Sequence, residues 1–513
     1  MRLRLIKTSV ETLSAGLGEF KRAVTCLAFS RTDGGSFLLS LDESPEHRLV
    51  VWDWARQARQ LESSCSSDTV LAAEFHPTED GCIVSCGKGH VNFWQIEPSY
   101  RSVSRKTGVL DPRDKPKYFT CLAFSCTGDL ITGDSNGNLL VWGRGYNAVT
   151  KAVWRAHEGP IFSVCVLKED GGLVTGGGRD GRVVLYDQTF CPTGREAQLP
   201  PHLGSVRTIS QGAGCQLLIG TTRNSVLTGS LELSFTEVML GHVEEVTALA
   251  ARPGQTGQFV TAGHDRQLHL WDSLGHNLVW SSDLGEQVQS VCFSPDGEVI
   301  VAATVTGKWV VLDSRTREVV SLHQDGAEPL TALSFSPDGT RLALISRASL
   351  QLYRVEENYR TYTRAGRCLA GAGLLPCLDW SRDSEHLQIN TLEREVVVVT
   401  ASLGRILTDT QTSRNILWAS SSCPLSWSTL GLWGGQETAS LVCTGSQSAG
   451  LLVAGSDTSQ LRLFSLPASQ PQAGHHQYGG HSGVVSSIAF LPDQSRLVSV
   501  GGKDAAILQW QIE

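Results

Sequence analysis

His242 and Asp265 stand 23 residues apart, and Trp271 follows Asp265 by a further 6. A histidine beside a carboxylate is equipped for general acid–base chemistry, because the carboxylate orients the ring and the other ring nitrogen can take or give a proton. The same ruler fits twice more. His481 is followed by Asp504 and Trp510 at the same two intervals, and His157 by Asp180 and Tyr186. Recurrence argues against an active site. Several copies of one His–Asp pair are better explained by a network that holds a repeated fold, in which a half-buried carboxylate finds its partners in a ring N–H and backbone amides. In the first of these stretches the chain of partners is expected to run His242, Thr261, Asp265 and Trp271.

The elements that must position these residues are short strands. Gly241 to Asp272 opens on Gly-His, continues through two β-branched and apolar runs (246–250 and 258–262), turns at Asp265 and ends in a strand closing on Trp271-Asp272. A unit of about 40 residues with this layout is the period of a four-stranded propeller blade of the WD-repeat type. Taken in order, twelve such units can be read. The first five begin at Val24, Leu71, Phe119, His157 and Val206, and seven more run from Gly241 to Trp510. Twelve blades exceed one propeller, since blades number about four to eight. The expected fold is therefore all-β: tandem WD-repeat β-propellers, the first (1–238) truncated at about five blades and the second (239–513) with about seven. The alternating RLRLIK at Arg2–Lys7 reads as a closing strand with no strands before it, so the chain is expected to begin inside a blade of the first propeller. The ninth unit lacks both Gly-His and Trp-Asp, and the tenth, near 416–433, is degenerate.

Composition narrows the function classes. Hydrophobic residues make up 41% and charged residues 18% of the 513, which suits a globular chain, and 52 glycines suit many tight turns. The formal net charge is −8, and all of it resides beyond residue 238, because the first part holds equal numbers of basic and acidic residues. Neither part is basic, which weighs against nucleic acid as a partner. The 14 cysteines form no CxxC pair, so buried free thiols in a reducing compartment are expected rather than zinc or disulfides. No apolar run approaches the length of a membrane span, and no signal-peptide core follows Met1–Lys7. Gly176-Gly177-Gly178 lies between short strands and precedes no helix, which excludes a phosphate loop, and no G-x-S-x-G elbow occurs. No catalytic, cofactor or metal residues are expected.

Several stretches resemble the echinoderm microtubule-associated protein-like family more closely than WD-repeat proteins at large. They include FKRAVTCLAFS (20–30), HRLVVWDW (47–54), AAEFHPTEDGCIVSCGKGHVNFW (72–94), GDLITGDSNGNLLVWGRG (128–145), AHEGPIFSVCVL (156–167), LLIGTTRNSVL (217–227), and YGGHSGVV with VGGKDAAILQW near the end. The resemblance implies a tandem propeller pair of the cytoplasmic cytoskeleton that contacts tubulin and microtubules without catalysis. It also implies an N-terminal coiled coil and a hydrophobic motif that helps build the first propeller. Neither is read in this sequence, so a monomer is expected, with an incomplete, marginally stable first propeller and open apolar blade faces.

Function is expected in loops, which propellers present at both ends of a channel. The most distinctive is 98–117, with Arg101, Arg105, Lys106, Arg113, Lys115 and Lys117 against Asp111 and Asp114. A basic loop could steer association with an acidic tubulin surface, and a solvated connector is the plain alternative. Tyr359–Arg367, basic and aromatic, is a second candidate of the same kind. Two other classes compete with the microtubule reading. An adaptor propeller would present partners to a ubiquitin ligase or kinase, and a propeller hydrolase would need convergent carboxylates at a channel mouth, where the recurring aspartates do not fall.

Overall fold

The computed structural model describes residues 3–5 and 20–512, apart from 21, 57, 98–101, 112, 146, 348, 370–372, 408–414, 433–441, 447–448 and 471–472. Among the described residues there are ten four-stranded antiparallel sheets and one three-stranded sheet, each built from strands consecutive in sequence with one exception. The second and third strands of a blade are buried on both faces, which is why they read as unbroken apolar runs such as Val299–Thr304 and Leu451–Gly455. The outer strand is half solvated and reads as polar. Blades then bury their faces against one another. The cluster of Leu39, Val51, Val70, Phe75, Ile83 and Trp94 spans the first two blades, and Val260, Leu270, Val291 and Ile300 span the sixth and seventh.

The exception corrects the sequence reading. Leu3–Leu5 pairs antiparallel with Ile507–Ile512, in the register Leu3↔Ile512 and Leu5↔Trp510. The opening strand is thus the fourth strand of the last blade, not the remnant of a blade in the first propeller. Its alternation identified it as a strand but carried no information on its partner, because a pairing at this sequence separation is set by tertiary packing. The chain accordingly divides into Val10–Gly241 and a unit made of Met1–Ser9 with His242–Glu513.

Among the described residues the unit at 10–241 has five sheets, in residues 24–64, 70–107, 119–153, 161–198 and 206–239. Their inner strands pack in succession. The inner strand of the first, Val24–Phe29, leaves Leu27 65% and Phe29 54% exposed. The unit at 242–513 holds six sheets, in residues 246–283, 288–324, 330–369, 374–400, 442–479 and 485–512. The irregular tenth unit stands between the fourth and fifth of these. Its Ser420, Ser422 and Pro424 line a channel of about 510 Å³ together with the six inner strands, so seven elements surround the axis. One device recurs in most blades. The inner strand carries a bulge after its first residue, as at Val246/Ala248 and Val485/Ser487. The bulge re-aims the intervening side chain at the next blade: Thr247 Oγ1 donates to the Val288 carbonyl at 2.7 Å, and Ser486 Oγ donates to the Val246 carbonyl, joining the last blade of this unit to its first.

Candidate functional site

Two groups of residues stand out in the sequence, and the structure places them very differently. The first is the set of buried clamps. His242 Nδ1 lies 2.8 Å from Asp265 Oδ2, and its Nε2 lies 2.8 Å from Thr261 Oγ1. Trp271 Nε1 donates to the same Thr261 Oγ1 at 2.7 Å. A carboxylate only accepts, so the ring proton sits on Nδ1. Nε2 then accepts the Thr261 hydroxyl proton, and Thr261 receives the indole N–H. Each donor has one acceptor with the ring neutral. The amides of Val243 and Gln267 complete the Asp265 carboxylate at 3.0 and 3.1 Å. His481, Ser499, Asp504 and Trp510 repeat the arrangement, with distances of 3.2, 2.8 and 2.8 Å along the chain of partners. His157 bonds Asp180 at 3.0 Å and Thr175 at 2.8 Å, and Tyr186 stands where the indole would be. The three histidine side chains are fully buried, with both ring nitrogens engaged, so what the arrangement can do is tie a loop, a strand and a turn together.

Burial alone would raise the Asp265 carboxyl. The hydrogen bond from His242 and those from Val243 and Gln267 outweigh it and hold the group below the ordinary carboxylate range. Asp180 and Asp504 are lowered in the same way, burial being outweighed by backbone amides and the neighbouring histidine. His157 and His481 are lowered, chiefly by burial.

Two features of these clamps escaped the sequence reading. Blades one to three keep the indole half without the histidine: Trp52, Trp94 and Trp142 donate to Ser40, Ser85 and Thr132 at 2.7, 2.9 and 3.0 Å. The signal was a Ser or Thr some ten residues before a Trp, blurred by turns of different length. The other is His269, which alternation puts on the same strand face as Trp271. It is 4% exposed, its ring centroid lies 4.4 Å from that of His242, and neither ring nitrogen has a partner among the described residues. Burial, reinforced by His242 and opposed by Asp265, holds it down to about 3 from 6.5. A histidine depressed in the folded state binds its proton more readily when unfolded. Its contribution to stability is therefore complete above pH 6.5 and is lost as pH falls toward 3. Acidification from pH 7 to 5 is expected to destabilise this unit by about 2 kcal/mol through His269 alone. His481 adds to the loss in the same direction, and His157 acts in that direction on the unit at 10–241. Denaturant midpoints at the two pH values check this, and His269→Leu should remove its share of the slope without loss of stability at pH 7.

The second group is the basic stretch 98–117, part of which is a strand rather than a loop. Val103–Thr107 is the outer strand of blade two, paired with His90–Ile96 in the register Trp94↔Arg105. The sequence hid it because VSRKT is polar at every position but one, as a solvated outer strand can be. Arg105 lies over the Trp94 ring at 5.6 Å and donates to the Cys65 carbonyl at 2.9 Å. Lys106 projects to the opposite face, beside Phe93. Lys115 and Lys117 follow in the connection to blade three and line one cavity with Arg105. Arg113 is exposed and outside that lining. Arg101 lies outside the described residues. Tyr359–Arg367, read as a connector, contributes most of the outer strand Thr361–Leu369 of blade eight, and its Tyr362 is buried.

Repeated four-stranded sheets ringed about an axis, stitched by bulge hydroxyls and closed by His–Ser/Thr–Asp–Trp clamps, define a tandem WD-repeat β-propeller protein. Residues 7–229 match the first β-propeller of the echinoderm microtubule-associated protein, and residues 246–512 match its second. Echinoderm microtubule-associated protein-like 2 of Rattus norvegicus is 42% identical over 98% of this chain and 78% of its own length. Echinoderm microtubule-associated protein-like 1 of Rattus norvegicus is 42% identical over 97% of this chain and 61% of its own. The 77 kDa echinoderm microtubule-associated protein of Lytechinus variegatus is 37% identical over 98% and 76%. The chain belongs to the echinoderm microtubule-associated protein-like family.

Proposed function

We propose that this chain is a non-enzymatic, monomeric binder of tubulin and microtubules that acts in microtubule organisation in the cytoplasmic cytoskeleton. The observation that carries the reading is the reach of the family match. It runs through both propellers, with relatives named as microtubule-associated proteins aligned over nearly the whole chain. The clamps support the non-enzymatic part of it: the recurring His–Asp pairs are spent on holding blades, with the rings sealed from solvent. The chain would then offer a rigid surface, and binding would be carried by exposed loops and outer strands.

The test is co-sedimentation of the full chain with polymerised microtubules at low and at physiological salt. The chain is expected to pellet at low salt and to be largely released at physiological salt, because charges on exposed surfaces are screened beyond about 8 Å at that ionic strength. A chain that stays in the supernatant at low salt, and that does not co-elute with soluble tubulin on a sizing column, would exclude this function.

A further inference from the structure

Blade two has the indole half of the clamp and lacks the anionic half, and the space this leaves is lined by cations. In blade six the loop before the inner strand supplies His242 to Thr261, and the turn between the second and third strands supplies Asp265. In blade two Trp94 still donates to Ser85 at 2.9 Å, but the loop residue facing that hydroxyl is Cys65, with Sγ 3.5 Å from Ser85 Oγ. The turn that would carry the aspartate reads Lys88-Gly89-His90. A thiol reaches less far than an imidazole, and no carboxylate closes over it from the turn. The result is a cavity of about 860 Å³ whose charged lining residues are Lys88, Arg105, Lys115 and Lys117 against the single carboxylate of Asp68.

The cations are not equivalent. Lys88 Nζ is 3.0 Å from Asp68 and partly neutralised by it. Arg105 is fixed in place by the Trp94 ring and the Cys65 carbonyl. Lys115 and Lys117 are exposed and on the rim, with Lys117 Nζ 5.6 Å from the centroid of the Tyr118 ring. On the wall, His90 Nδ1 is 3.1 Å from the Lys88 carbonyl, and Nε2 is buried without a partner among the described residues. The cavity therefore has one guanidinium held in place by the Trp94 ring and the Cys65 carbonyl, and two exposed ammonium groups beside it. A site of this size, polar and open along a blade edge, fits side chains delivered by an extended chain better than one small ion.

We propose that this cavity on blade two is a docking site for an acidic peptide segment, whose glutamate or aspartate carboxylates reach Arg105 while the backbone lies across Lys115 and Lys117. It names a surface through which the proposed tubulin contact could act, and it rests on that reading only for the identity of the natural partner.

The test uses the full chain and a fluorescein-labelled oligoglutamate peptide, with oligoglutamine of equal length as the uncharged control, read by fluorescence anisotropy. Saturable binding of oligoglutamate at low salt, absent for oligoglutamine, is expected. The double variant Lys115→Glu/Lys117→Glu should weaken it by about tenfold or more, since both side chains are exposed and their reversal replaces attraction with repulsion. Arg195→Glu, an exposed reversal in blade four, should leave it unchanged. The proposal fails if the double variant binds like the parent chain or if Arg195→Glu weakens binding as much. It also fails if inorganic phosphate displaces the peptide where chloride of equal ionic strength does not, for the cavity would then be a small-anion site. Because the readout needs no microtubules, its failure is separable from failure to pellet.

Discussion

Asp379→Ala is expected to release the irregular tenth unit from its seat in the second propeller. Asp379 is wholly buried at the end of the inner strand Leu374–Trp380. Its Oδ1 accepts from Ser420 Oγ at 2.5 Å, from the Ser422 amide at 2.7 Å and from Ser422 Oγ at 2.9 Å. Its Oδ2 accepts from the Cys423 amide at 3.0 Å and from Gln388 Nε2 at 2.9 Å. Four of these five donors belong to one segment that has no sheet of its own among the described residues. Other bonds also hold the segment, among them the Ala419 amide to the Trp380 carbonyl and the Arg382 amide to the Leu417 carbonyl, each at 2.8 Å, Ser422 Oγ to the Leu378 carbonyl at 2.8 Å, and Asn390, which bonds the backbone of Leu425 in both directions at 2.9 and 3.0 Å. Removing the carboxylate strands two amides and the Ser420 hydroxyl, while Ser422 Oγ keeps the Leu378 carbonyl at 2.8 Å, and each donor left buried costs about 1–3 kcal/mol. Part of that is recovered by water entering from the channel, so a net loss of about 4 kcal/mol is expected. The direct readout is amide exchange. The Ser422 and Cys423 amides should exchange on the order of a thousandfold faster in the variant, while strand amides of blades six and seven stay protected. Unchanged protection at those two amides would show that the segment is held by something other than Asp379. Asp379→Asn keeps one carbonyl oxygen but turns an NH2 toward two or more donors, and should fall between the two.

The same carboxylate shows why parts of this fold could be read from the sequence and parts could not. The His–Asp–Trp clamps were legible because all their members belong to one blade, and a turn of nearly constant length fixes the intervals between them. Asp379 does a comparable job for partners about 40 residues further on, in a segment with no alternation, so no ruler could reveal it. Strand identity was legible wherever one face is buried. It failed for Val103–Thr107 and for Thr361–Leu369, which are outer strands whose residues are spent on solvent and on neighbouring blades. The partner of Leu3–Leu5 was illegible for a third reason: a strand's sequence carries its period and not its address. That one pairing moves the opening residues from the first propeller to the second. A cut at residue 238 would therefore strip the second propeller of a strand as well as separating the two units. His269 was legible as an inward-facing residue and illegible as an unpartnered one, since its surroundings come from the loop carrying His242.

Trp309→Ala is expected to cost about 4 kcal/mol, the other large effect, because the indole is a seam between two blades rather than part of a clamp. Trp309 stands at the opposite end of its strand from the Trp-Asp position, where this blade has Leu312-Asp313. It is wholly buried, stacks on His323 at 4.0 Å within blade seven, and meets Tyr353 and Tyr362 of blade eight edge-on at 5.3 and 5.1 Å. Its Nε1 donates to Asp325 Oδ2 at 2.7 Å, and Tyr353 Oη donates to Oδ1 of the same carboxylate at 2.6 Å. One carboxylate thus ties an indole from blade seven to a phenol from blade eight, and four rings exclude water around the pair. Alanine removes the largest of these rings, leaves a cavity in a rigid aromatic cluster that cannot collapse into it, and takes away one of the donors to Asp325. Phenylalanine fills most of the space and loses only the donor, with Tyr353 still bonded, so Trp309→Phe should cost about 1–2 kcal/mol. The two variants separate packing from polarity at the seam. Because the chain has two units, loss should be measured as exchange protection of the inner strand Leu330–Phe335 of blade eight rather than as a single melting temperature. If the alanine variant lies within about 1 kcal/mol of the parent chain, the blade seven–eight interface is carried instead by the aliphatic layer of Val301, Val311, Leu333 and Leu344 beneath the rings.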